Sequence, residues 1–574
     1  MKEEIKNLIK NTILNLQKER KIPIFEIPAV KIEHPKEREH GDYSTNIALQ
    51  ISKAAKIKPI TIAELIAKEL NKSAKLFFDK IEAVEPGFIN IFLSKEYLAK
   101  QINQIFKKRK KYGTSKIGKG KTIMVEYAHP NTHKIFHIGH LRNITNGEAI
   151  ARILEAIGTK VIRANYQGDV GLHIAKCLWV VKQVKDFKSR LKKLNTLDKK
   201  IEFLAECYVK GNTAYEKNEK AKEEILKINK QIYNKDPKIK DLWRETRQWS
   251  LDYFERIYKR VYTSFDRYYF EDEVTKKGKE IVLRFLEKGI FEKSKGAIIF
   301  PGSKYGLHDR VFITKEGNAT YEAKEMELAR LQFKEYNPDL IIHNVGPEQS
   351  DYFKVIFFAL EQVFPYTKGR EYHLVSGWVR LKGGKMSSRK GNVIPGEWLL
   401  DEVKRRIKKN FPLVSDKAAE TIAVGAVKYS FLKVSPPTEI AFDFDESISL
   451  QGNSGVYLQY TYARACSILR KAKTKIISGR YLLRLKQEKE QALIKLLLQF
   501  PEIVLQAAEK YSPNLICNFL FETAQAFNNF YESLPVLKAE TKGLQNARLS
   551  LVKAASQVIK NGLNLLGIKV LKKM

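Results

Sequence analysis

The sequence predicts an α/β protein with an added all-α part, and three observations support this fold class. Strand, helix and strand patterns follow one another between residues 122 and 171, as they do in a doubly wound parallel sheet. A smaller α/β pattern precedes this region, and a helical pattern without strand signals runs from about residue 400 to the end. A chain of 574 residues is too long for one hydrophobic core, so we expect three or four domains.

The first α/β unit is predicted to occupy residues 1–106. It opens with an amphipathic helix whose apolar side chains share one face, namely Ile5, Leu8, Ile9, Ile13 and Leu16. The segment IEAVEPGFINIFLS (81–94) is predicted to end as a strand. Residues 107–121 are basic and contain glycine without any periodicity, so we interpret them as a linker.

The larger α/β unit is predicted to extend over residues 122–400. TIMVEYA (122–128) has the pattern of a buried strand, residues 140–158 that of a helix, and residues 160–171 that of a second strand with a turn. Residues from about 185 to about 290 are charged and mostly helical in pattern, so we interpret them as an insertion.

Net charge and cysteine content limit the function classes. Lys and Arg number 103 against 65 Asp and Glu, a formal charge of +38, which favours a polyanionic partner, nucleic acid before anionic membrane. A lysine-rich proteome is the alternative explanation.

The four cysteines form no CxxC pair, which argues against a zinc ribbon or a disulfide framework and fits a reducing cytoplasm. No apolar run reaches membrane-spanning length, and the N-terminus lacks a signal-peptide pattern, so we expect no membrane partner.

Histidines crowd the segment NTHKIFHIGHLRN, at the predicted junction of a strand and a helix. The unpaired N–H groups and the positive dipole at a helix start make an anion site. His137 and His140 can both face this site, while Gly139 removes a Cβ that would block a flat base or a phosphate. HIGH therefore predicts a cradle for phosphate and adenine. A pair of surface histidines is the alternative, and so short a motif does not decide between the two.

A second motif follows about 250 residues later, in GWVRLKGGKMSSRKGNVI. Its glycines predict a mobile loop. Lys385, Arg389 and Lys390 carry charge that a triphosphate attracts, and Ser387 and Ser388 supply hydroxyl groups. An exposed basic loop is the alternative for this segment alone, but HIGH followed by KMSSR is far more specific than either motif.

Together the two motifs resemble those of the class I aminoacyl-tRNA synthetases. VEYAHPNTHKIFHIGHLRN further resembles the arginyl-tRNA synthetase form, with the Pro130–Asn131 pair and a lysine three residues before HIGH. HGDYSTN and PGFIN resemble that family's N-terminal additional domain, and GDVG and VGPEQSDYF resemble its catalytic domain. FDFDESISLQGNSGVYLQYTYARACSILRKA resembles the start of its anticodon-binding bundle, so the resemblance covers essentially the whole chain in order.

The resemblance implies four regions besides the linker. Residues 1–106 correspond to the additional domain that binds the tRNA elbow, and residues 122–400 to a class I Rossmann-like catalytic domain with HIGH and KMSSR loops. Residues 401–450 correspond to a helical region that contacts the tRNA stem, and residues 451–574 to a C-terminal α-helical anticodon-binding bundle.

The activity that the resemblance implies is the charging of tRNA(Arg). ATP activates L-arginine to arginyl-adenylate with release of pyrophosphate, and the 2′-OH of the terminal adenosine then takes the arginyl group. Members of the family typically need bound tRNA before they activate arginine. Mg²⁺ is expected to arrive with ATP, without a dedicated protein site, and the protein is expected to be a cytoplasmic monomer.

The resemblance assigns the nucleotide to both motifs. His137 and His140 would hold phosphate and ribose, Lys385 would neutralise the leaving pyrophosphate, and Lys134, taken to lie one helical turn before His140, would add a positive contact. The implied ATP-binding residues are Pro130, His137, Ile138, Gly139, His140, Lys385, Met386, Ser387, Ser388 and Arg389. Ser388 stands where the common KMSKS loop has its second lysine, and Arg389 or Lys390 is expected to substitute.

The resemblance places arginine against a tyrosine and a carboxylate four residues later, here Tyr321 and Glu325 on one helix face. A guanidinium cannot lose its charge and prefers planar, bidentate acceptors. The family usually has Asp at the position of Glu325, and a solvated helix carboxylate is the alternative for this residue. Glu126 and Asn131 are assigned to the α-amino or carboxylate end of arginine, and Gln349 completes the site.

Further polar and aromatic candidates have two interpretations each. Asp169 and His173, in GDVGLH at the end of the second strand, either line the site or form a tight turn with a packed histidine. Tyr457, Tyr460 and Arg464 share one helix face, where anticodon bases can stack. Core packing is the alternative, favoured for Tyr460 and not for Tyr457. Phe88 and Asn90 are candidates for the tRNA elbow, although Phe88 fits a strand core better.

Three other functions remain open from the sequence. A synthetase-like protein that binds tRNA or another RNA without charging it would share the charge and the helical bundle, but it needs no intact HIGH and KMSSR loops. A related nucleotidyl transferase also carries HxGH, but the bundle and the N-terminal domain count against it. A class I synthetase for another amino acid is countered by the PN…K…HIGH form and by the Tyr321 segment.

Overall fold

A computed structural model describes residues 2–35, 37–74, 76–184, 193–383, 394–472 and 482–574. The chain forms two compact units. The first consists of Met1–Tyr112, Arg464–Phe500 and Glu522–Ile559, and the second of Gly113–Ala463, Pro501–Phe521 and Lys560–Met574. The domain boundaries proposed from the sequence remain a prediction.

The N-terminal part of the first unit packs helices against a small sheet. Its elements are α1 (Lys2–Lys18), β1 (Tyr43–Thr45), α2 (Ile47–Ala55), α3 (Pro59–Ser73), β2 (Phe78–Val84), β3 (Phe88–Leu93) and α4 (Lys95–Lys108). The strands are antiparallel in the order β1-β3-β2. Ile5, Ile9, Ile13 and Leu16 are buried on α1, as the helical period predicted.

The second unit begins with the predicted strand, helix and strand. The elements are β4 (Thr122–Glu126), α5 (Ile138–Ala156), β5 (Lys160–Gln167), α6 (Leu172–Lys182), α7 (Leu197–Lys217), α8 (Glu219–Tyr233), α9 (Pro237–Arg260), β6 (Arg267–Phe270) and α10 (Glu271–Leu286). β6 pairs in parallel with β5. The predicted helical insertion of about 185–290 is therefore wrong at its end, because β6 belongs to the main sheet.

Within the described part of the chain, the remaining strands complete a five-stranded parallel sheet. After the antiparallel β7 (Glu292–Ser294), β8 (Ala297–Phe300) and β9 (Arg310–Ile313) come α11 (Tyr321–Tyr336), β10 (Leu340–Val345), α12 (Ser350–Val363) and β11 (Glu371–Val375). The order of the main sheet is β11-β10-β4-β5-β6, which confirms the doubly wound sheet. From β4 the chain adds β5 and β6 on one side of the sheet, and later β10 and β11 on the other side. The strand order therefore reverses between β4 and β10, and a crevice opens at the carboxyl ends of the strands at such a switch point.

The rest of the chain is mainly helical. It contains β12 (Val379–Leu381), α13 (Gly396–Asn410), α14 (Asp416–Leu432), β13 (Ile440–Phe442), α15 (Phe444–Ser447), α16 (Gly455–Lys471), α17 (Glu488–Glu509), α18 (Asn514–Ser533) and α19 (Lys542–Leu565). β12 and β13 pair in parallel, so the expectation of helix throughout from about residue 400 is wrong at β13. The fold class, α/β plus all-α, is confirmed. Among the described helices, none combines the length and the hydropathy needed to cross a bilayer.

Candidate active site

A cavity of about 370 Å³ lies at the carboxyl ends of β4, β5 and β10, at the switch point of the sheet. It is lined by all five residues predicted to hold arginine, namely Glu126, Asn131, Tyr321, Glu325 and Gln349. The other lining residues are His129, Tyr166, Gly168, Glu271, Arg310, Glu322, Val345, Tyr352 and Phe353. Side chains that are far apart in the sequence thus meet in one place.

The loops that follow β4 and β5 meet beside the cavity. Asn131 forms a parallel bridge with Gly168, and the N–H of Thr132 donates to the carbonyl of Gly168 over 2.8 Å. A Cβ at residue 168 would collide with the side-chain oxygen of Asn131. The glycine of GDVG is therefore required for the close approach that holds Asn131 at the cavity.

Helix α11 presents Tyr321 and Glu325 to the cavity, as their i, i+4 spacing predicted. The hydroxyl of Tyr352 donates to Oε1 of Glu325 over 3.5 Å. Burial raises the pKa of the Glu325 carboxyl to about 8, and repulsion from Glu126 adds to the rise. Glu325 is therefore not the solvated helix carboxylate of the alternative interpretation.

The cavity suits a cationic ligand. Four of the described residues that line it are glutamates, and Arg310 is the single Lys or Arg among those described residues. Two of the glutamates have cationic partners, since Lys324 lies 2.8 Å from Glu271 and Arg310 lies 3.7 Å from Glu322. The carboxyl of Glu325 is left to face the ligand, and a buried carboxylate is stabilised by a paired cation.

The start of α5 holds the two histidines of HIGH together. Nδ1 of His137 accepts the N–H of Gly139 over 3.1 Å, and the N–H of His137 donates to Nδ1 of His140 over 3.2 Å. The two rings stack with centroids 3.7 Å apart. A Cβ at residue 139 would lie 2.9 Å from the His137 ring, so this glycine makes room for the neighbouring imidazole.

Both imidazoles are neutral near pH 7. Burial, assisted by the positive charge of Lys134, lowers the pKa of His137 to about 4. Burial also lowers the pKa of His140 well below its usual value, with His137 adding to the fall. Because each Nδ1 accepts a backbone hydrogen, each ring carries its proton on Nε2. The pair can donate hydrogen bonds to phosphate or ribose oxygens but supplies no charge.

Lys134 and His133, just before HIGH in the chain, contact residues of the helices that follow β5. Lys134 lies in the loop before α5, with its ammonium group 5.3 Å from the centroid of the Tyr208 ring. Its predicted position one helical turn before His140 is therefore wrong, because the helix begins only at Ile138. The ring of His133 is buried, with Nε2 2.8 Å from the hydroxyl of Thr246, so it supports the loop.

Arg142 ties α5 to the strand that precedes the KMSSR segment, a contact that no sequence pattern marks. Its buried guanidinium donates to the carbonyl groups of Gly377, Trp378, Pro436 and Thr438 over 2.6–2.9 Å. β12 begins at the next residue after Trp378. The HIGH helix and the approach to KMSSR are therefore held at a fixed separation.

The KMSSR residues themselves lie outside the described residues, namely Lys385, Met386, Ser387, Ser388, Arg389 and the following Lys390. The first described residue after this motif is Ile394, and its carbonyl accepts the N–H of Ile138 over 3.0 Å. The chain that leaves this motif is thus bonded to the first turn of the HIGH helix.

Asp169 has a structural partner. Its carboxylate accepts Nε of Arg247 over 2.8 Å and the backbone N–H of Asp272 over 2.9 Å. Burial raises the pKa of Asp169 to about 6, although Arg247 opposes the rise. Neither Asp169 nor His173 is among the described residues that line the cavity, which favours the tight-turn interpretation.

The tRNA candidates on α16 differ in exposure. Tyr457 is half-buried, with its ring centroid 5.8 Å from that of Phe521. Tyr460 is 40% exposed, so its predicted place in the core is wrong. Arg464 lies on the same helix, and its Nη1 is 3.1 Å from a carboxylate oxygen of Glu532.

The two N-terminal tRNA candidates lie on β3. Phe88 is 39% exposed at the first residue of the strand, so the strand-core interpretation is wrong. Asn90 is buried, and its Oδ1 accepts the hydroxyl of Ser44 over 2.9 Å. Phe88 is thus accessible to a partner, whereas Asn90 joins β3 to β1.

Some cavity residues were not predicted. Tyr352 stands in the VGPEQSDYF segment, which carried the signal for it. Tyr166, Glu271 and Arg310 lie on separate strands and helices without a motif, so only the strand order brings them to the cavity.

Along its whole length, the chain is similar to known arginyl-tRNA synthetases. Three family models match it: "Arginyl tRNA synthetase N terminal domain" over residues 3–93, "tRNA synthetases class I (R), catalytic domain" over residues 101–444 and "DALR anticodon binding domain" over residues 458–574. The chain is 34% identical to the arginine--tRNA ligase of Borreliella afzelii (strain PKo), over 100% of this chain and 99% of that relative. It is also 34% identical to the arginine--tRNA ligase of Treponema denticola, over 95% of each. The solved structure of Thermus thermophilus arginyl-tRNA synthetase matches with a TM-score of 0.80 at 25% identity and covers 100% of both chains.

Proposed function

This chain belongs to the arginyl-tRNA synthetase family, and on that basis we propose which substrate each side chain of the site binds. The protein is an ATP-dependent ligase that charges tRNA with arginine. One observation supports the proposed arginine site: the residues expected to bind arginine line a single cavity rich in carboxylates. L-Arginine, ATP and tRNA(Arg) are the proposed substrates.

Arginine would bind with its guanidinium towards Glu325, between the tyrosines Tyr321 and Tyr352. The ionised Glu325 carboxylate accepts guanidinium N–H groups, and a charge-assisted pair of this kind is stronger than a neutral one. Glu126 and Asn131 would hold the α-amino or carboxylate end, and Gln349 would close the site beside them.

ATP would lie across the start of α5. There Pro130, Ile138 and Gly139 would shape the wall, and His137 and His140 would donate hydrogen bonds to phosphate and ribose oxygens. Since both imidazoles are neutral, the positive charge has to come from Lys134, Lys385 and Arg389, with Met386, Ser387 and Ser388 alongside. Mg²⁺ would enter with ATP and neutralise part of the phosphate charge.

The first step forms a bond between an arginine carboxylate oxygen and the α-phosphorus, and the bond to the leaving pyrophosphate breaks. The second step forms a bond between the 2′-oxygen of the terminal adenosine and the arginyl carbonyl carbon, and AMP leaves. Both steps depend on positioning and on stabilisation of phosphate charge. We expect bound tRNA to be required for the first step.

Contacts to tRNA are proposed at Phe88, Tyr457 and Arg464, with Asn90 supporting the strand that carries Phe88. Exposed aromatic and guanidinium planes stack on unpaired bases. We further propose that residues 1–106 bind the tRNA elbow, that residues 401–450 contact its stem and that residues 451–574 bind the anticodon. The protein is proposed to act as a monomer in the cytoplasm.

ATP–pyrophosphate exchange with each amino acid, with and without a tRNA(Arg) transcript, tests the proposal. We expect exchange with arginine only, and only when tRNA is present. Exchange with another amino acid would contradict the arginine site. Absence of exchange while tRNA still binds would instead indicate a protein that binds tRNA without charging it.

A further inference from the structure

Three ionisable side chains form a buried row beneath the cavity. They come from adjacent parallel strands: Glu126 ends β4, His343 lies on β10 and Glu371 begins β11. The ring nitrogens of His343 lie 3.1 Å from Oε1 of Glu126 and 2.7 Å from Oε2 of Glu371. The three side chains are 3%, 3% and 4% exposed, and of the three only Glu126 lines the cavity.

The geometry favours a charged histidine. A neutral imidazole has one N–H and one acceptor nitrogen, whereas both nitrogens of His343 face carboxylates, which accept hydrogen bonds. Although burial opposes the charge, Glu126 and Glu371 raise the pKa of His343 well above its usual value. Burial likewise opposes ionisation of Glu126, but the charge and the hydrogen bond of His343, together with His129 and the amide of Gln332, lower the pKa of Glu126.

Glu126 is also fixed in orientation. While His343 binds one of its oxygens, the amide of Gln332 on α11 donates to the other, Oε2. Two buried donors hold the plane of the carboxylate, so rotation would break one of the bonds. The remaining lone pairs are left for a ligand in the cavity.

The charged surroundings of His343 come from several elements. Glu325 on α11 and His129 after β4 act on the charge of Glu126, while His373 on β11 lies near the His343 ring and Arg370 near Glu371. Helix α12 packs two rings against His343, Phe353 at 5.2 Å and Phe357 at 5.5 Å between centroids. Glu126 repels the carboxylate of Glu325 across the cavity, and the positive charge of His343 opposes the effect of that repulsion on Glu325.

We propose that His343 is a positioning residue whose imidazolium keeps Glu126 ionised and turned towards the α-ammonium group of arginine, and thereby sets the affinity for the amino acid. This inference rests on the proposed assignment of Glu126 to the arginine site. His343 itself touches no substrate.

The test is ATP–pyrophosphate exchange by the full-length His343→Gln variant with tRNA(Arg) present. Glutamine can still donate a hydrogen bond but carries no charge. We expect KM for arginine to rise at least about tenfold at pH 7, with KM for ATP unchanged and kcat altered by less than about threefold. Raising the pH towards about 8.5 should recover part of the loss, because Glu126 then ionises without its partner.

His373→Gln is the matched control. His373 pairs with His343 in register on the neighbouring strand, and its Nε2 lies 3.2 Å from the carbonyl of Val345. We expect this variant to keep the KM for arginine of the unmodified protein. An unchanged KM in His343→Gln, or the same loss at every pH in both histidine variants, would overturn the proposal.

Glu371→Gln provides a second test that does not depend on the folding of His343→Gln. It leaves His343 with one carboxylate, so the ring loses its proton at lower pH. A neutral His343 can still donate a hydrogen bond to Glu126, and Glu126 is itself ionised at high pH, so KM for arginine should stay within about threefold of the unmodified value from about pH 7 to about pH 9. A rise in KM at pH 7 like that of His343→Gln would overturn the proposal, because Glu371→Gln keeps the pairing of His343 with Glu126. Failure of the unmodified protein to exchange with arginine would instead contradict the proposed function.

Discussion

At the scale of single residues, burial decides what each ionisable group of the site can do. The HIGH imidazoles are neutral donors, because burial lowers the pKa of both His137 and His140. Glu325 is shifted in the opposite sense, since burial and Glu126 raise its pKa. Glutamate here, where the family usually has aspartate, places one more methylene between the helix and the carboxyl group. Arginine is the cation that would restore the charge of this carboxyl.

Arginine binding is therefore expected to depend on pH through Glu325. With a pKa of about 8, the carboxyl is largely protonated at neutral pH when no arginine is bound, and the guanidinium needs its ionised form. Binding below that pKa has to displace a proton, so KM for arginine should fall as the pH rises from about 6.5 to about 8.5, by at most roughly tenfold per pH unit. ATP–pyrophosphate exchange across this range measures it, with KM for ATP as the internal control.

The matched variant is Glu325→Gln, which keeps the shape of the side chain and has no proton to lose. Its KM for arginine should be higher throughout and free of this pH dependence. A variant that keeps the full pH profile would assign the titration to another group.

At the scale of elements, the site depends on how α5 is anchored. Its first turn is bonded to Ile394, on the far side of the KMSSR segment, and Arg142 is bonded to the carbonyls at the near side. The Arg142 guanidinium has carbonyl partners in place of a carboxylate, and burial lowers its pKa to about 10. The HIGH helix is thus bonded to main-chain carbonyl groups on both sides of the KMSSR segment, although the two motifs are far apart in the chain.

Arg142→Lys should weaken ATP binding more than arginine binding. Lysine keeps the charge, but its single ammonium group cannot reach four carbonyl groups arranged around a planar fork. Loss of such charge-assisted bonds typically costs about 1.5–3 kcal/mol, so we expect kcat/KM for ATP to fall by roughly tenfold or more. Exchange kinetics with ATP varied measure this effect.

Arg152→Lys is the control on the same helix. Arg152 pairs with Glu148 at 2.6 Å and has no contact with the carbonyl groups that Arg142 binds. Its kcat/KM for ATP should stay within about twofold of the unmodified value. A fall in melting temperature for Arg142→Lys with unchanged KM for ATP would show that Arg142 only stabilises the fold.

At the scale of the whole molecule, two features stand out: the net charge of the chain and the hydrogen bonds that its last residues make to helices α14 and α16. The formal charge of +38 suits a polyanion. Within the second unit, the last residues return to earlier helices. The ammonium group of Lys428 donates to the carbonyl of Gly567 over 2.9 Å, and the amide of Gln459 donates to that of Lys569 over 2.8 Å.

The charge predicts that tRNA binding weakens steeply with salt. Lysine and arginine that neutralise phosphates release counterions, so log Kd should rise linearly with log salt concentration, by roughly 0.7–0.9 per phosphate contacted. Filter binding of a tRNA(Arg) transcript over about 50–300 mM NaCl measures the slope. A slope near zero would mean that the basic residues merely decorate the surface.

The C-terminal contacts predict a stability effect. Deleting residues 567–574 leaves the buried ammonium group of Lys428 without its carbonyl partner, which should cost about 1–3 kcal/mol or more and lower the melting temperature. Thermal unfolding followed by fluorescence measures the change. Deleting only residues 573–574, which are exposed, is the control and should leave the melting temperature unaltered. Equal melting temperatures for both deletions would contradict a stabilising role for Gly567–Lys569.

Local patterns were sufficient wherever structure depends on near neighbours in the chain. The apolar run TIMVEYA became β4 because a strand buried on both faces needs continuous apolar residues. Tyr321 and Glu325 share a face because α11 repeats every 3.6 residues. The motifs GDVG and VGPEQSDYF also indicated the cavity, since each contributes lining residues at the ends of the parallel strands.

The tertiary structure was needed wherever the deciding partner is distant in sequence. Periodicity shows which face of an element is apolar but not what that face packs against, so Tyr460 was placed in the core and is exposed, and β6 was taken for part of an insertion. The raised pKa of Glu325 and the charge of His343 depend on Glu126, which the strand order brings beside them. Electrostatic interactions act over a few ångströms in space, and the order of strands in a sheet, not the order of residues in the chain, decides which groups lie within that distance.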